Sequence, residues 1–156
     1  MKRVGKICVI GAGRIGLPIS VSLASSGQEV VILEIDSEKC EMINDAKSPF
    51  FEIDMDKELE NAVSGGLIVA STDKDVLSEC NVIISAIGTG ISEDGKPDVS
   101  GIDDLIEIIT PYYNKGDLLL LKTTLPIGTT DLIAKKIMTL NPVSIKFCLT
   151  LSCSFL

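Results

Sequence analysis

The reading of the fold turns on KICVIGAGRIGLPISVSLASSGQEVVILEIDSEK, Lys6 to Lys39. It opens on an apolar run, Ile7 to Ile10, with the length and composition of a strand buried on both faces. G-A-G-R-I-G follows, with glycines at 11, 13 and 16. From about Arg14 to Ser26 the apolar positions Ile15, Ile19, Leu23 and Ala24 recur at helical spacing, and Gly27 suits the C-terminal cap. Glu29 to Leu33 reads as a second strand, closed by Glu34. A G-x-G-x-x-G string alone is weak evidence, because turns use glycine freely. Placed between a strand and a helix, with an acid ending the next strand, it predicts a dinucleotide site rather than plain turn packing.

Each part of that site has a physical reason. Gly11 permits the tight turn, Gly13 lets a pyrophosphate approach the backbone, and Gly16 lets the helix pack close to the sheet. The loop Gly11-Ala12-Gly13-Arg14-Ile15-Gly16 then turns free N–H groups and the positive end of a helix toward the phosphates. Glu34 stands where a carboxylate accepts from the adenosine ribose hydroxyls and repels a 2′-phosphate, which favours NAD over NADP. The alternative for Glu34 is a solvated strand-end acid. Arg14, beside the pyrophosphate, could offset that repulsion. Lys39 either reaches back to the ribose or is an ordinary helix-surface lysine. Pro18 falls in the first turn or so of the helix, where its missing N–H is nearly harmless.

The pattern continues in the same alternation. Asp36 or Ser37 caps a helix to about Asn44, and Ser48-Pro49 breaks it. Further helices are predicted at Met55–Val63, Asp73–Glu79, Ile102–Ile109 and Thr130–Met138, with Thr129 or Thr130 as the cap of the last. Further strands are predicted at Leu67–Ala70, Val82–Ile87 and Leu118–Leu121, with a last one at Ile145–Leu151. Strands alternating with helices imply parallel pairing and right-handed crossovers. The expected class is α/β: a Rossmann-type, doubly wound, mainly parallel sheet with helices on both faces, over residues 1–145, followed by a divergent tail, 146–156.

Composition narrows the function. The 156 residues carry a formal charge of −8 and no histidine. An acidic surface argues against nucleic-acid or anionic-membrane partners. The longest apolar runs are strand-length, and the N-terminus has no apolar stretch of signal-peptide type. Cysteines 8, 40, 80, 148 and 153 form no C-x-x-C pair and read as reduced thiols of a cytoplasmic protein. A buried cysteine is more often an apolar filler than a nucleophile. No metal site is expected.

Five segments, KICVIGAGRIGLPIS, EVVILEIDSEK, INDAKSPFFE, DVLSECNVIISAIGTGISEDGKPD and GDLLLLKTTLPIGTT, together resemble the N-terminal domain of the UDP-sugar 6-dehydrogenases, the UDP-glucose and UDP-N-acetylmannosamine dehydrogenase family. The resemblance runs in order from Lys6 to Met138. It implies that Gly88-Thr89 lies against NAD at the end of the fourth strand, that Thr123 contacts the cofactor, and that Thr124 supports the reaction centre. It implies oxidation of the C6 alcohol of a UDP-sugar to a carboxylate with two NAD, through a cysteine thioester. It also implies that the nucleophilic cysteine belongs to a later part of the chain.

Departures are visible. Arg14 and Gly90 replace an aromatic or apolar residue and a proline, and FFEIDMDKEL lacks an E-P-G-type segment. CLTLSCSFL stands where a Ser-Pro-Glu-Arg segment is expected, so the chain reads as truncated or frame-shifted, able to bind NAD but inactive by itself and prone to self-association through its apolar tail. Two rivals remain: another Rossmann dehydrogenase of the β-hydroxyacid or 6-phosphogluconate type, against which KTTLPIGTT argues, and a non-catalytic NAD-sensing module.

Overall fold

A six-stranded parallel sheet organises the chain in the computed structural model, which describes residues 5–88, 90–91, 97–98, 100–123, 125–126, 128–141 and 146–149. Its strands are β1 (Lys6–Ile10), β2 (Val30–Leu33), β3 (Ile68–Ser71), β4 (Cys80–Ser85), β7 (Leu118–Leu121) and β8 (Lys146–Leu149), in the spatial order β3-β2-β1-β4-β7-β8. A separate antiparallel hairpin is made by β5 (Gly90–Ile91) and β6 (Pro97–Asp98). The chain works outward from β1 through β2 to β3, then crosses to the other side of β1 to begin β4. That reversal places a crevice at the carboxyl ends of β1 and β4, where open parallel sheets bind ligands.

Side chains alternate across the sheet and fill two apolar layers. Ile7 and Val9 of β1 point into one layer with Val30, Ile32 and Ile84, and Cys8 and Ile10 point into the other with Val31, Leu33 and Ile83. Helix α1 (Gly16–Ser25) covers the first layer with Leu17, Val21 and Ala24, joined by Met55, Leu59 and Ala62 of α3 (Met55–Ser64). Helix α4 (Ser100–Ile109) covers the second with Ile102, Leu105, Ile106 and Ile109, an i, i+3, i+4, i+7 stripe, beside Ile133 and Ile137 of α5 (Thr129–Leu140).

Local chemistry sets most boundaries. Asp36 caps α2 (Ser37–Asn44), its carboxylate accepting from the Glu38 and Lys39 N–H groups at 3.0 and 3.3 Å. Several boundaries differ from the sequence reading. Helix α1 starts at Gly16, not Arg14, because the glycine loop occupies 11–15. β4 runs Cys80–Ser85 rather than Val82–Ile87, because its partner β1 turns away after Ile10; Ile10 pairs with Ser85 and its carbonyl accepts the Ala86 N–H. Residues Lys74–Glu79 form a 3-10 helix. Neither Thr129 nor Thr130 caps α5: Gly128, at φ +88°, occupies the cap and Thr129 is already helical.

β3 is an exposed edge, and one side chain closes it. Leu67 and Ser71 carbonyls accept from β2, so the polar groups of Ala70 point outward. The Asn44 amide meets both: its Nδ2 donates to the Ala70 carbonyl at 2.9 Å and its Oδ1 accepts the Ala70 N–H at 2.8 Å. Asn44 thus occupies the outward-facing groups of Ala70, which a foreign strand would need. Immediately after it, Ala46 takes φ +59° at the C-terminal turn of α2, where Lys47 N–H donates to Met42 and Ala46 N–H to Ile43. That turn favours glycine.

Asn44→Ala is expected to lower unfolding free energy by about 1–3 kcal/mol, read by urea denaturation, and to give concentration-dependent association in light scattering. Ala46→Gly is expected to raise stability by about 0.5–1 kcal/mol, because relief of left-handed strain exceeds the added freedom of the unfolded chain. An unchanged or lower denaturation midpoint for Ala46→Gly would contradict that account of the turn.

Candidate cofactor site

At the carboxyl end of β1 the chain turns at Gly11, whose φ is +96° and whose N–H donates to the Leu33 carbonyl at 2.8 Å. Gly16 then brings α1 against the strand so closely that a Cβ there would lie 1.8 Å from the Gly11 carbonyl oxygen. The fold itself demands these two glycines. Gly13 is different: a Cβ there meets nothing within 4 Å, and its φ is not positive. The polypeptide leaves open space beside Gly13, on the wall of a cleft. A ligand that needs close approach to the backbone fits that space. The N-terminus of α1 has neither a capping side chain nor an acidic residue in its first turn, whereas Asp36 and Asp73 cap the elements that follow β2 and β3.

Glu34 ties the loop to β2. Only 8% exposed, its carboxylate accepts the Ala12 N–H on Oε2 at 2.7 Å and the Ile35 and Asp36 N–H groups on Oε1 at 2.9 and 3.2 Å. A carboxylate offers about four lone-pair sites, so one remains, on Oε2. The Glu34 acid is therefore a structural acceptor as well as a wall of the cleft. Lys39 also lines the cleft, with its Nζ 3.7 Å from an Asp36 carboxylate oxygen.

The cleft holds about 730 Å³, within the size range of cofactor sites. Gly11, Gly13, Glu34, Lys39 and Gly88 come together on its wall. Ala12 and Gly16 are buried behind the loop. Arg14 and Ile15 are exposed and lie off the cleft wall; the Arg14 guanidinium sits over the Phe50 ring at 5.4 Å. Thr123 lines a smaller adjoining pocket with Gly88, and its hydroxyl donates to the Ile87 carbonyl at 2.5 Å, tying the end of β7 to the end of β4. Thr89 and Thr124 lie outside the described residues.

Sequence reasoning missed Thr72 and Lys74 after β3, and Asp104 and Glu107 on α4, all of which line the cleft. The first pair carried a usable signal, since they follow the carboxyl end of a parallel strand. The second pair did not, because only the packing of α4 brings its outer residues to the cleft.

Cys8, Cys40 and Cys80 are free and buried, and none of these three lines the cleft. A hydrogen bond with Cys80, then burial, pushes the Cys8 thiol up. The same hydrogen bond holds Cys80 below its ordinary value. Burial, with Glu34 and Asp36 nearby, pushes Cys40 up. Cys8 and Cys40 are therefore poor thiolate sources. Among the described residues no group of three His, Cys, Asp or Glu is placed to hold a metal, and no helix is long and apolar enough to cross a membrane.

A strand, a glycine loop, an uncapped helix and a strand-end acid around one crevice define a Rossmann-type dinucleotide-binding domain. The chain belongs to the UDP-glucose/GDP-mannose dehydrogenase family, whose NAD binding domain it matches over residues 5–155. It is 34% identical over 125 residues to an NDP-N-acetyl-D-galactosaminuronic acid dehydrogenase of Ralstonia solanacearum, covering 80% of this chain and 29% of that protein. It is 33% identical over 130 residues to a UDP-N-acetyl-D-mannosamine dehydrogenase of Pyrococcus horikoshii, covering 83% and 31%. The solved structure of the UDP-D-ManNAc dehydrogenase from P. horikoshii superposes with a TM-score of 0.86 at 31% identity, over 92% of this chain and 35% of that one. The chain thus spans about a third of the length of these relatives.

The differing demands on the glycines are separable by mutation. Gly16→Ala is expected to prevent cooperative folding or to cost several kcal/mol, since its Cβ collides with fixed backbone. Gly13→Ala is expected to shift stability by less than about 1 kcal/mol, as judged by thermal denaturation of both variants.

Proposed function

We propose that the cleft is the seat of NAD in this family domain, held by the following residues. The backbone from Gly11 to Gly16 cradles the pyrophosphate at the open end of α1. Glu34 accepts one adenosine ribose hydroxyl on its remaining Oε2 lone pair, and Lys39 flanks the same end. Gly88, with Thr89 beside it, presents backbone to the nicotinamide half. Thr123 acts there through Ile87, whose carbonyl its hydroxyl holds, and Thr124 supports the reacting centre. When bound, NAD accepts hydride. The chain's own part is to bind the dinucleotide and aim its nicotinamide past the ends of β4 and β7. The observation that carries this reading is the open space at Gly13, which the unliganded fold does not require.

For the whole protein we propose oxidation of the C6 alcohol of a UDP-hexose to its carboxylate with two NAD, by a cytoplasmic enzyme that works as an oligomer. The relatives' names and the KTTLPIGTT segment support a sugar nucleotide as substrate. These 156 residues by themselves are expected to bind NAD without reducing it at the expense of sugar nucleotide. The supporting observation is that none of the thiols of Cys8, Cys40 and Cys80 lines the cleft.

The reading is tested by NADH fluorescence titration. The wild-type chain should bind, and Gly13→Ala, with its fold intact, should bind at least tenfold more weakly. Folded wild-type protein that leaves NADH fluorescence and heat of mixing unchanged would refute the site. UDP-sugar-dependent NADH formation by the 156-residue chain would refute the proposed lack of turnover.

A further inference from the structure

Resting on the cofactor reading above, we infer that Ser85 and Thr123 hold one buried water molecule between the ends of β4 and β7, and that Ser85 is through it a positioning residue for the nicotinamide half of the cofactor. Ser85 is the last residue of β4 and only 1% exposed. It lines a pocket of about 10 Å³ walled largely by the apolar side chains of Ile102, Leu105, Leu121 and Ile133. Its hydroxyl makes no hydrogen bond among the described residues. No wholly enclosed side-chain oxygen or nitrogen among them lacks a partner, so the Ser85 oxygen keeps a sliver of accessible surface, and that surface opens on the pocket. A hydroxyl set among apolar side chains needs a partner.

The pocket suits a single water molecule in size, and three polar residues border it. Ser85 both donates and accepts. Thr123 gives its proton to the Ile87 carbonyl at 2.5 Å, so its oxygen is left as an acceptor. Gly88 brings its backbone. A water that donates to Thr123, exchanges a bond with Ser85 and meets a Gly88 backbone group has the two to four partners typical of a buried water. Ile87, Gly88 and Gly101 line both this pocket and the cofactor cleft. The water therefore lies behind the backbone that the nicotinamide meets, and it braces Gly88 against the end of β7. Removing the Ser85 hydroxyl loosens that backbone and leaves the adenosine end, at Glu34 and Lys39, untouched.

Ser85→Ala tests this by titration with NADH and with ADP-ribose, which lacks the nicotinamide, and by thermal denaturation. The variant is expected to bind NADH about three- to tenfold more weakly, the scale of one neutral hydrogen bond, and ADP-ribose within about twofold of wild type. Its melting midpoint is expected to fall. A raised midpoint would overturn the inference, because deleting an unsatisfied buried hydroxyl stabilises a fold. Equal loss of both ligands would make Ser85 a structural residue only, and unchanged NADH binding would remove its positioning role; either overturns the inference and leaves the NAD site standing. A crystal structure of the NADH complex is expected to show a water bonded to Ser85 and Thr123, and a direct bond between the two hydroxyls instead would overturn it. Failure of folded wild-type protein to bind either ligand would refute the underlying cofactor reading, and the role of Ser85 with it.

Discussion

The close approach of α1 to the end of β1 is the constraint on which the site depends. Gly16 lies against the Gly11 carbonyl with no room for a single carbon atom between them. That contact brings the first turn of α1 directly onto the carboxyl end of the central strand. The helix start, which no side chain caps, lies beside the crevice left where the chain reverses between β1 and β4. A helix displaced by even one methyl group would lose both the packing of Leu17 and Val21 and the placement of its N-terminus.

Glu34 complements that contact electrostatically. Its carboxylate bridges the glycine loop and the start of α2, gathering N–H groups from Ala12, Ile35 and Asp36. The loop is thereby held in shape before any ligand arrives, which lowers the ordering cost of binding. The same commitment limits what Glu34 can offer a ribose. Under the proposed reading Glu34 serves the fold and the ligand at once.

Much of the architecture was legible in the sequence. Ile7–Ile10, Leu118–Leu121 and the Ile102–Ile109 stripe announce their elements by period and length, and the strand–glycine–helix–strand order announces parallel pairing. The misjudged ends are those set by partners. β4 stops where β1 turns, a limit imposed by a strand about 70 positions earlier in the chain. α5 begins at a left-handed Gly128 rather than at a threonine cap, because the backbone entering the helix dictates which residue stands there.

For the site, the sequence by itself determined the loop, its acid and the gap at Gly13, since glycine spacing and strand-end chemistry are local properties. Tertiary structure alone decided the rest. It carried Arg14 away to Phe50, turned the Thr123 hydroxyl onto Ile87, and brought Asp104 and Glu107 of α4 to the cleft. The physical reason is that a strand or loop announces itself through neighbours in the chain. Which side chains share a cleft depends on how strand order and helix packing fold distant segments onto one sheet edge.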